Sequence, residues 1–201
     1  MAKPQADVAE RVSAVGEALA ARIDDLTDDI QEVIVGLLPE LRAAATGVLH
    51  HSIRANVETA LQDLILRDSA ATVVPAAALE YAQALAQADV PSNALIRAYR
   101  LGQTRFLRRC IEEVLSAPTD AESDVRVTLQ IVESVSTRLD EIIERVYEAY
   151  EAARELKLRD RSAVLTGRMR DLLRGRSVDV DAAEAALGYR LRPHPAGVAA
   201  P

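Results

Sequence analysis

The sequence has almost none of the residues that carry chemistry most readily. Cys110 is the only cysteine, which excludes an intramolecular disulfide and a cysteine-based zinc cluster. Tryptophan is absent and aromatics make up 3% of the chain, so a core has to be assembled from Ala, Val, Leu and Ile, a composition suited to closely spaced helices. No Gly-rich phosphate loop, no GxSxG and no pair of carboxylates on an apolar face occurs, which leaves catalysis without a seat. Neither an enzymatic activity nor a cofactor is expected. No run of about 18 or more apolar residues is long enough to span a bilayer, and the opening MAKPQADVAERV lacks the apolar stretch of a secretory signal. The simplest expectation is a cytoplasmic protein with no membrane contact. A net charge of −7 opposes non-specific attraction to nucleic acid or an acidic membrane.

What the sequence has is helical periodicity. The 201 residues suffice for one full domain plus a fragment. Apolar residues recur at three- and four-residue steps nearly from end to end, which predicts an all-α chain. The spacing predicts a first helical region over 7–38, bent near 23–27, and a second helix opened by Pro39 and reaching about Arg67. The β-branched stretch RDSAATVVP reads as a loop. Pro75 opens a short Ala-rich helix to about Ala88, and DVPSN separates it from a helix that runs to about Ala117, with Pro91 and Ser92 at its start. Pro118 ends that helix, and Thr119 to Glu122 (TDAE) has the spacing of a capping box for a long helix. Gly175 ends the long helix, and Asp181 to Glu184 (DAAE) caps a short one closed by Gly188. The tail YRLRPHPAGVAAP reads as the approach to a strand. These features divide the chain into a helical domain, 1–158, and a helical linker with what reads as the start of a following domain, 159–201.

Two helices carry polar residues where apolar ones belong. Advancing about 100° per residue along NALIRAYRLGQTRF and its continuation puts Leu95, Tyr99, Gln103, Phe106 and Cys110 on one stripe, with Arg100 at its border. Arg97, Arg105, Arg108 and Arg109 project away from it, as a solvated face rather than a nucleic-acid patch, since Glu112 and Glu113 follow and no aromatics interleave. The second helix places Ser52 and Asn56 among Leu49, Ile53, Ala60 and Leu64. A buried amide without a partner costs about 1 to 3 kcal/mol, so these groups have to find each other, the backbone, water or a ligand. Two readings follow: a structural network that fixes helix register, or a small sensory cavity lined by Ser52, Asn56, Tyr99, Arg100 and Gln103, with Arg100 available for an anion. His50 and His51 are adjacent and diverge on a helix, so they cannot share a metal, and no metal site is expected. Cys110 reads as a small core residue.

The long helix carries a heptad seam. Val132, Val135, Leu139, Ile142, Val146, Ala149, Ala153 and Leu156 alternate steps of three and four, with charged residues between them. After Leu156 the register is lost at Asp160, and a new apolar cluster follows at Val164, Leu165, Met169, Leu172 and Leu173. The first half of the seam suits packing within the same chain, but a helix of this length outruns a small bundle, and its later seam predicts a coiled-coil-like homodimer.

The segment PAAALEYAQALAQADVPSNALIRAYRLGQTRFLRRCIEE, with HHSIRANVETALQDL before it and RSAVLTGRMRDLLRG and VDVDAAEAALGYRLRPH after it, resembles the N-terminal region of actinobacterial PucR/CdaR-family transcriptional regulators. That region is of the type named after the N-terminal domain of RsbT co-antagonist proteins, and AYRLGQ with its preceding VP break is the most specific part. The resemblance implies a helical bundle, related to non-haem globin-like modules, that senses a small-molecule or protein effector and passes the signal through its long helix to a GGDEF-like domain and a helix-turn-helix domain. DNA contact would come only through that last, C-terminal domain, which the sequence does not contain. The alternative is a constitutive protein–protein interaction scaffold of the stress-signalling type without a small ligand.

Overall fold

A computed structural model describes residues 3–44, 46–66 and 73–173 of the chain. Among the described residues there are seven helices and no strand: α1 (Lys3–Ala20), α2 (Ile23–Leu37), α3 (Pro39–Ala44), α4 (Thr46–Leu66), α5 (Ala76–Gln87), α6 (Ser92–Ser116) and α7 (Ala121–Leu173). The all-α architecture and the long last helix are as the periodicity predicts. The predicted short helix at Asp181 to Glu184, the stop at Gly175 and the strand-like tail lie outside the described residues, as does most of the loop after α4.

Helix ends follow local chemistry, with some departures from the expected positions. The first helical region breaks at Ala21 and Arg22, earlier than the predicted bend. Arg22 leaves helical geometry and its side chain pairs with Glu113 of α6, while Asp24 and Asp25 occupy the first turn of α2, where the helix dipole favours negative charge. The predicted second helix is described as α3 and α4, on either side of Ala45, which lies outside the described residues. Helix α5 closes in a Schellman turn. The amide of Val90 donates to Leu85 O at 3.0 Å, that of Asp89 donates to Ala86 O at 3.3 Å, and Asp89 adopts a positive φ of 57°. Ser92 supplies no side-chain cap to α6.

The cap of α7 lies one residue later than the TDAE spacing suggests. Asp120 Oδ1 accepts the Ser123 amide at 2.9 Å, and the Thr119 hydroxyl instead donates to Asp124 at 3.1 Å. Asp124 is already held by Arg11 of α1 at 2.7 Å, so Thr119 is drawn outward and the shorter carboxylate serves as the cap. Asp120→Ala should lower stability by about 1 kcal/mol in a urea titration, whereas Thr119→Ala should change it by less than half as much.

Two compact units divide the chain, Met1–Arg154 and Glu155–Pro201. In the first, α1 packs on α4 and α6, α2 packs on the same two helices, and α4 packs on α5. Leu19, Leu26, Leu38, Leu41, Leu61, Leu64, Leu85 and Leu95 are fully enclosed, with Val127 and Ile131 of α7 among them. Aliphatic residues therefore build the core, as the shortage of aromatics requires. Tyr150 of α7 donates a buried hydrogen bond of 2.7 Å to Val90 O, tying that helix to the turn between α5 and α6.

The heptad seam serves this core. Leu139, Ile142 and Val146 are buried in it, Val135, Ala149 and Ala153 pack against it, and Val132 is half-buried. A side chain enclosed by its own chain has little surface left for a second subunit, so Leu139, Ile142 and Val146 pack within the bundle. Leu156 alone of the eight is exposed. In the second unit Leu158, Val164, Leu165 and Met169 are also exposed, and Glu155 pairs with Arg159 one turn on.

Candidate functional site

The polar residues that interrupt the apolar faces surround one cavity. It has a volume of about 120 Å³ and is walled by α2 (Ile30, Ile34), α4 (Leu49, Ser52, Ile53, Asn56, Val57, Ala60, Asp63), α5 (Tyr81), α6 (Leu95, Ala98, Tyr99, Gly102, Gln103, Phe106) and α7 (Ser134, Val135, Arg138, Leu139, Ile142). Four of the five expected site residues, Ser52, Asn56, Tyr99 and Gln103, line it. Arg100 does not. It is exposed and donates to Asp140 of α7 at 3.0 Å.

Gln103 is explained by a partner 33 residues away. Its Nε2 donates to Ser136 Oγ at 3.1 Å, and its Oε1 accepts a long contact of 3.5 Å from Arg100 Nη1. The amide joins α6 to α7 through the half-buried rim of the cavity. Nearby, Arg138 of α7 donates to Asp63 of α4 at 2.7 Å, a second polar tie to the same helix.

Asn56 is different. Its Nδ2 donates to Ser52 O at 2.8 Å, one turn back, and lies 3.5 Å from the Tyr99 hydroxyl. Its Oδ1 is buried and has no hydrogen-bond partner. The Tyr81 hydroxyl is also buried without a partner, on a residue only 3% exposed. Burial raises the pKa of both Tyr81 and Tyr99 well above the ordinary phenol range; hydrogen bonds from Asn56 and Ser52 oppose the effect at Tyr99. Both hydroxyls therefore keep their protons at any physiological pH. Buried orphan polar atoms are uncommon in native proteins, and here two of them belong to residues that line a single cavity.

Tyr81 was missed in the sequence because it sits in an Ala-rich helix whose spacing makes it one more core residue. Ser134 and Ser136 were missed because Ser is unremarkable on a charged helix, and their partners are remote in sequence.

Other expected features resolve as follows. Arg105 lies against Asp29 of α2 with contacts of 2.8 and 2.5 Å, and Arg109 lies 3.7 Å from the same carboxylate. These two do not project into solvent as expected, because Asp29 draws them across the α2–α6 crossing. Arg97 and Arg108 are exposed. His50 contacts Asp28 at 3.2 Å at the surface. Among the described residues, no group of three or more His, Cys, Asp and Glu side chains is placed to hold a metal ion, and no helix is long and apolar enough to cross a membrane. Cys110 is fully enclosed, and burial pushes its thiol up to about 12. Iodoacetamide at pH 8 should leave it unmodified in the folded chain and alkylate it fully in denaturant; rapid labelling under native conditions would contradict this burial.

The family profile described as the RsbT co-antagonist protein rsbRD N-terminal domain matches residues 23–165. The chain belongs to this family. Every residue that lines the cavity falls within the matched stretch of the rsbRD N-terminal domain, as does most of α7. No curated protein and no solved structure matches the sequence.

Proposed function

We propose that this rsbRD N-terminal domain is the sensory and dimerisation module of a cytoplasmic PucR-type transcriptional regulator. It receives an effector in the cavity and passes the signal along α7 to domains that bind DNA. One observation carries this reading: α7 forms a wall of the cavity through Ser134 to Ile142 and continues without interruption to Leu173. An occupant of the cavity would touch the helix that leads out of the domain. It moves the balance between two packings of that helix only by preferring one of them. Residues of five helices line the cavity, so an occupant would contact α7 together with α2, α4, α5 and α6.

The same helix offers a place for a second copy. Leu156, Leu158, Val164, Leu165 and Met169 are exposed, and Leu158 and Leu165 stand one heptad apart. These apolar side chains equally suit a scaffold that binds a different protein of a stress-signalling assembly, which is the second reading. Native mass spectrometry of the purified chain separates the two. A dimer that dissociates on L158E/L165E supports the first, and a monomer at high concentration supports the second.

The sensory role is tested in the full-length regulator with Asn56→Leu. The substitution removes the orphan acceptor and places apolar volume in the cavity. The expected result is a folded regulator that no longer changes its output with the inducing condition. Normal regulation by this variant would leave the cavity without a sensory role.

A further inference from the structure

We propose that the cavity takes a small molecule made wholly of hydrocarbon, about the size of benzene. This inference rests on the sensory reading above and gives it a ligand class.

The wall decides the chemistry. The surface turned toward the open space is almost wholly hydrocarbon, supplied by side chains such as Ile30, Ile34, Leu95, Phe106, Leu139 and Ile142 from α2, α6 and α7. Polar residues stand on the same wall, but their polar atoms are engaged elsewhere. Gln103 Nε2 donates to Ser136 at 3.1 Å, Arg138 donates to Asp63 at 2.7 Å, and the Tyr99 hydroxyl lies 3.5 Å from Asn56 Nδ2. Asn56 Oδ1 and the Tyr81 hydroxyl are buried too deeply to meet an occupant. A held water needs about two to four polar partners, and this surface presents little for it to bond. A molecule with hydrogen-bonding atoms on opposite sides would lose hydration on at least one of them against hydrocarbon. Hydrocarbon loses nothing there and leaves water.

Size follows from the volume. The space of about 120 Å³ is near the roughly 150 Å³ of an apolar cavity, lined by Leu, Ile and Phe, that accepts benzene. One six-membered ring or a short branched alkane fills it. The cavity is open on one side, so such a molecule can enter without displacing a helix.

The surroundings favour a free molecule over a side chain delivered by a partner protein. The polar residues beside the cavity are already joined in pairs: Gln103 with Ser136, Arg138 with Asp63, and Arg100 with Asp140. A peptide backbone laid over them would have to break these pairs to satisfy its own amides. A free hydrocarbon disturbs none of them.

The test is a titration of the chain with benzene and with pyrazine, a ring of the same size carrying a nitrogen on each side, followed by NMR and by thermal unfolding. Benzene should bind saturably, raise the melting temperature, and bind about tenfold or more tighter than pyrazine. Nuclear Overhauser contacts should join it to the methyl groups of Ile30, Ile34, Leu139 and Ile142. Two substitutions reduce the space from different helices, Gly102→Val on α6 and Ala60→Leu on α4. A Cβ at Gly102 meets Ile30 and Ile34 at 3.6 and 3.8 Å, so the helix accepts a side chain there. Each folded variant should weaken benzene about tenfold or more. Equal affinity for pyrazine, contacts only to residues outside the wall, or undiminished binding by a folded variant would overturn the proposal. So would the absence of benzene binding, which would leave the space to a partner's side chain. If benzene fails while the full-length regulator still loses its response on Asn56→Leu, the ligand class falls and the sensory reading stands. If benzene binds as expected while that regulator responds normally, the site stands and the sensory reading falls.

Discussion

Leu95→Ala lowers the unfolding free energy by about 3 to 5 kcal/mol, the upper part of the range for such truncations. Leu95 is completely enclosed and its side chain forms part of the cavity wall. Truncation elsewhere in the core leaves a hole that neighbours can partly fill. Here the new space joins a cavity of about 120 Å³ that the fold already keeps open, so collapse gives little relief. Urea unfolding should show a lower midpoint with an unchanged slope. A loss below about 1 kcal/mol would mean that α6 relaxes into the cavity and that the open volume is not built into the fold.

Gly16→Val is expected to cost about 2 to 3 kcal/mol through overpacking. A Cβ at Gly16 would stand 2.9 Å from Ile65 Cγ1, 3.2 Å from Leu64 Cβ and 3.4 Å from the backbone nitrogen of Ile65. The Ile65 side chain can turn aside for a methyl group. The branches of valine press on the backbone of α4, which cannot move without opening the α1–α4 contact. Helix propensity works the other way by a few tenths of a kcal/mol and does not decide the sign. Gly102 is the control. An added Cβ meets Ile30 and Ile34 at 3.6 and 3.8 Å, ordinary contact distances, so Gly102→Ala should gain up to about 1 kcal/mol from propensity. The two glycines would then shift the melting temperature in opposite directions.

The order of helices was legible because the 3.6-residue period is written in the apolar positions themselves, and because Pro39, Pro75, Pro91 and Pro118 sit at breaks in it. Ser52 and Asn56, with Tyr99 and Gln103, were legible as a group for a related reason: a polar residue on an apolar stripe interrupts a pattern. What is done by a pattern read over one helix cannot be extended to its partner. The seam from Val132 to Ala153 has the same alternation whether it packs on its own bundle or on a second chain, and the neighbours that decide this are up to a hundred residues away. Arg105 and Arg109 read as solvated because nothing local announces that Asp29 lies across the α2–α6 crossing. Tyr81 was hidden by the opposite effect. It fits its apolar stripe so well that its unpartnered hydroxyl leaves no trace in the sequence.

A sensory cavity and a structural polar network make opposite demands on Asn56. In a network its amide holds the bundle together, and the fold loses by its removal. In a ligand site the fold does not need the amide, and the buried unpartnered Oδ1 costs the unfilled domain about 1 to 3 kcal/mol of desolvation. The Asn56 bond to Ser52 O duplicates a carbonyl already within a helix, and Tyr99 retains Ser52 as a partner, so little is lost with the amide nitrogen. The deciding measurement is the unfolding free energy of the Asn56→Leu chain in urea, without added ligand. An increase of about 1 to 2 kcal/mol is expected if the asparagine is kept for a guest. A decrease of the same size would show that the fold needs it, and the sensory cavity would be contradicted.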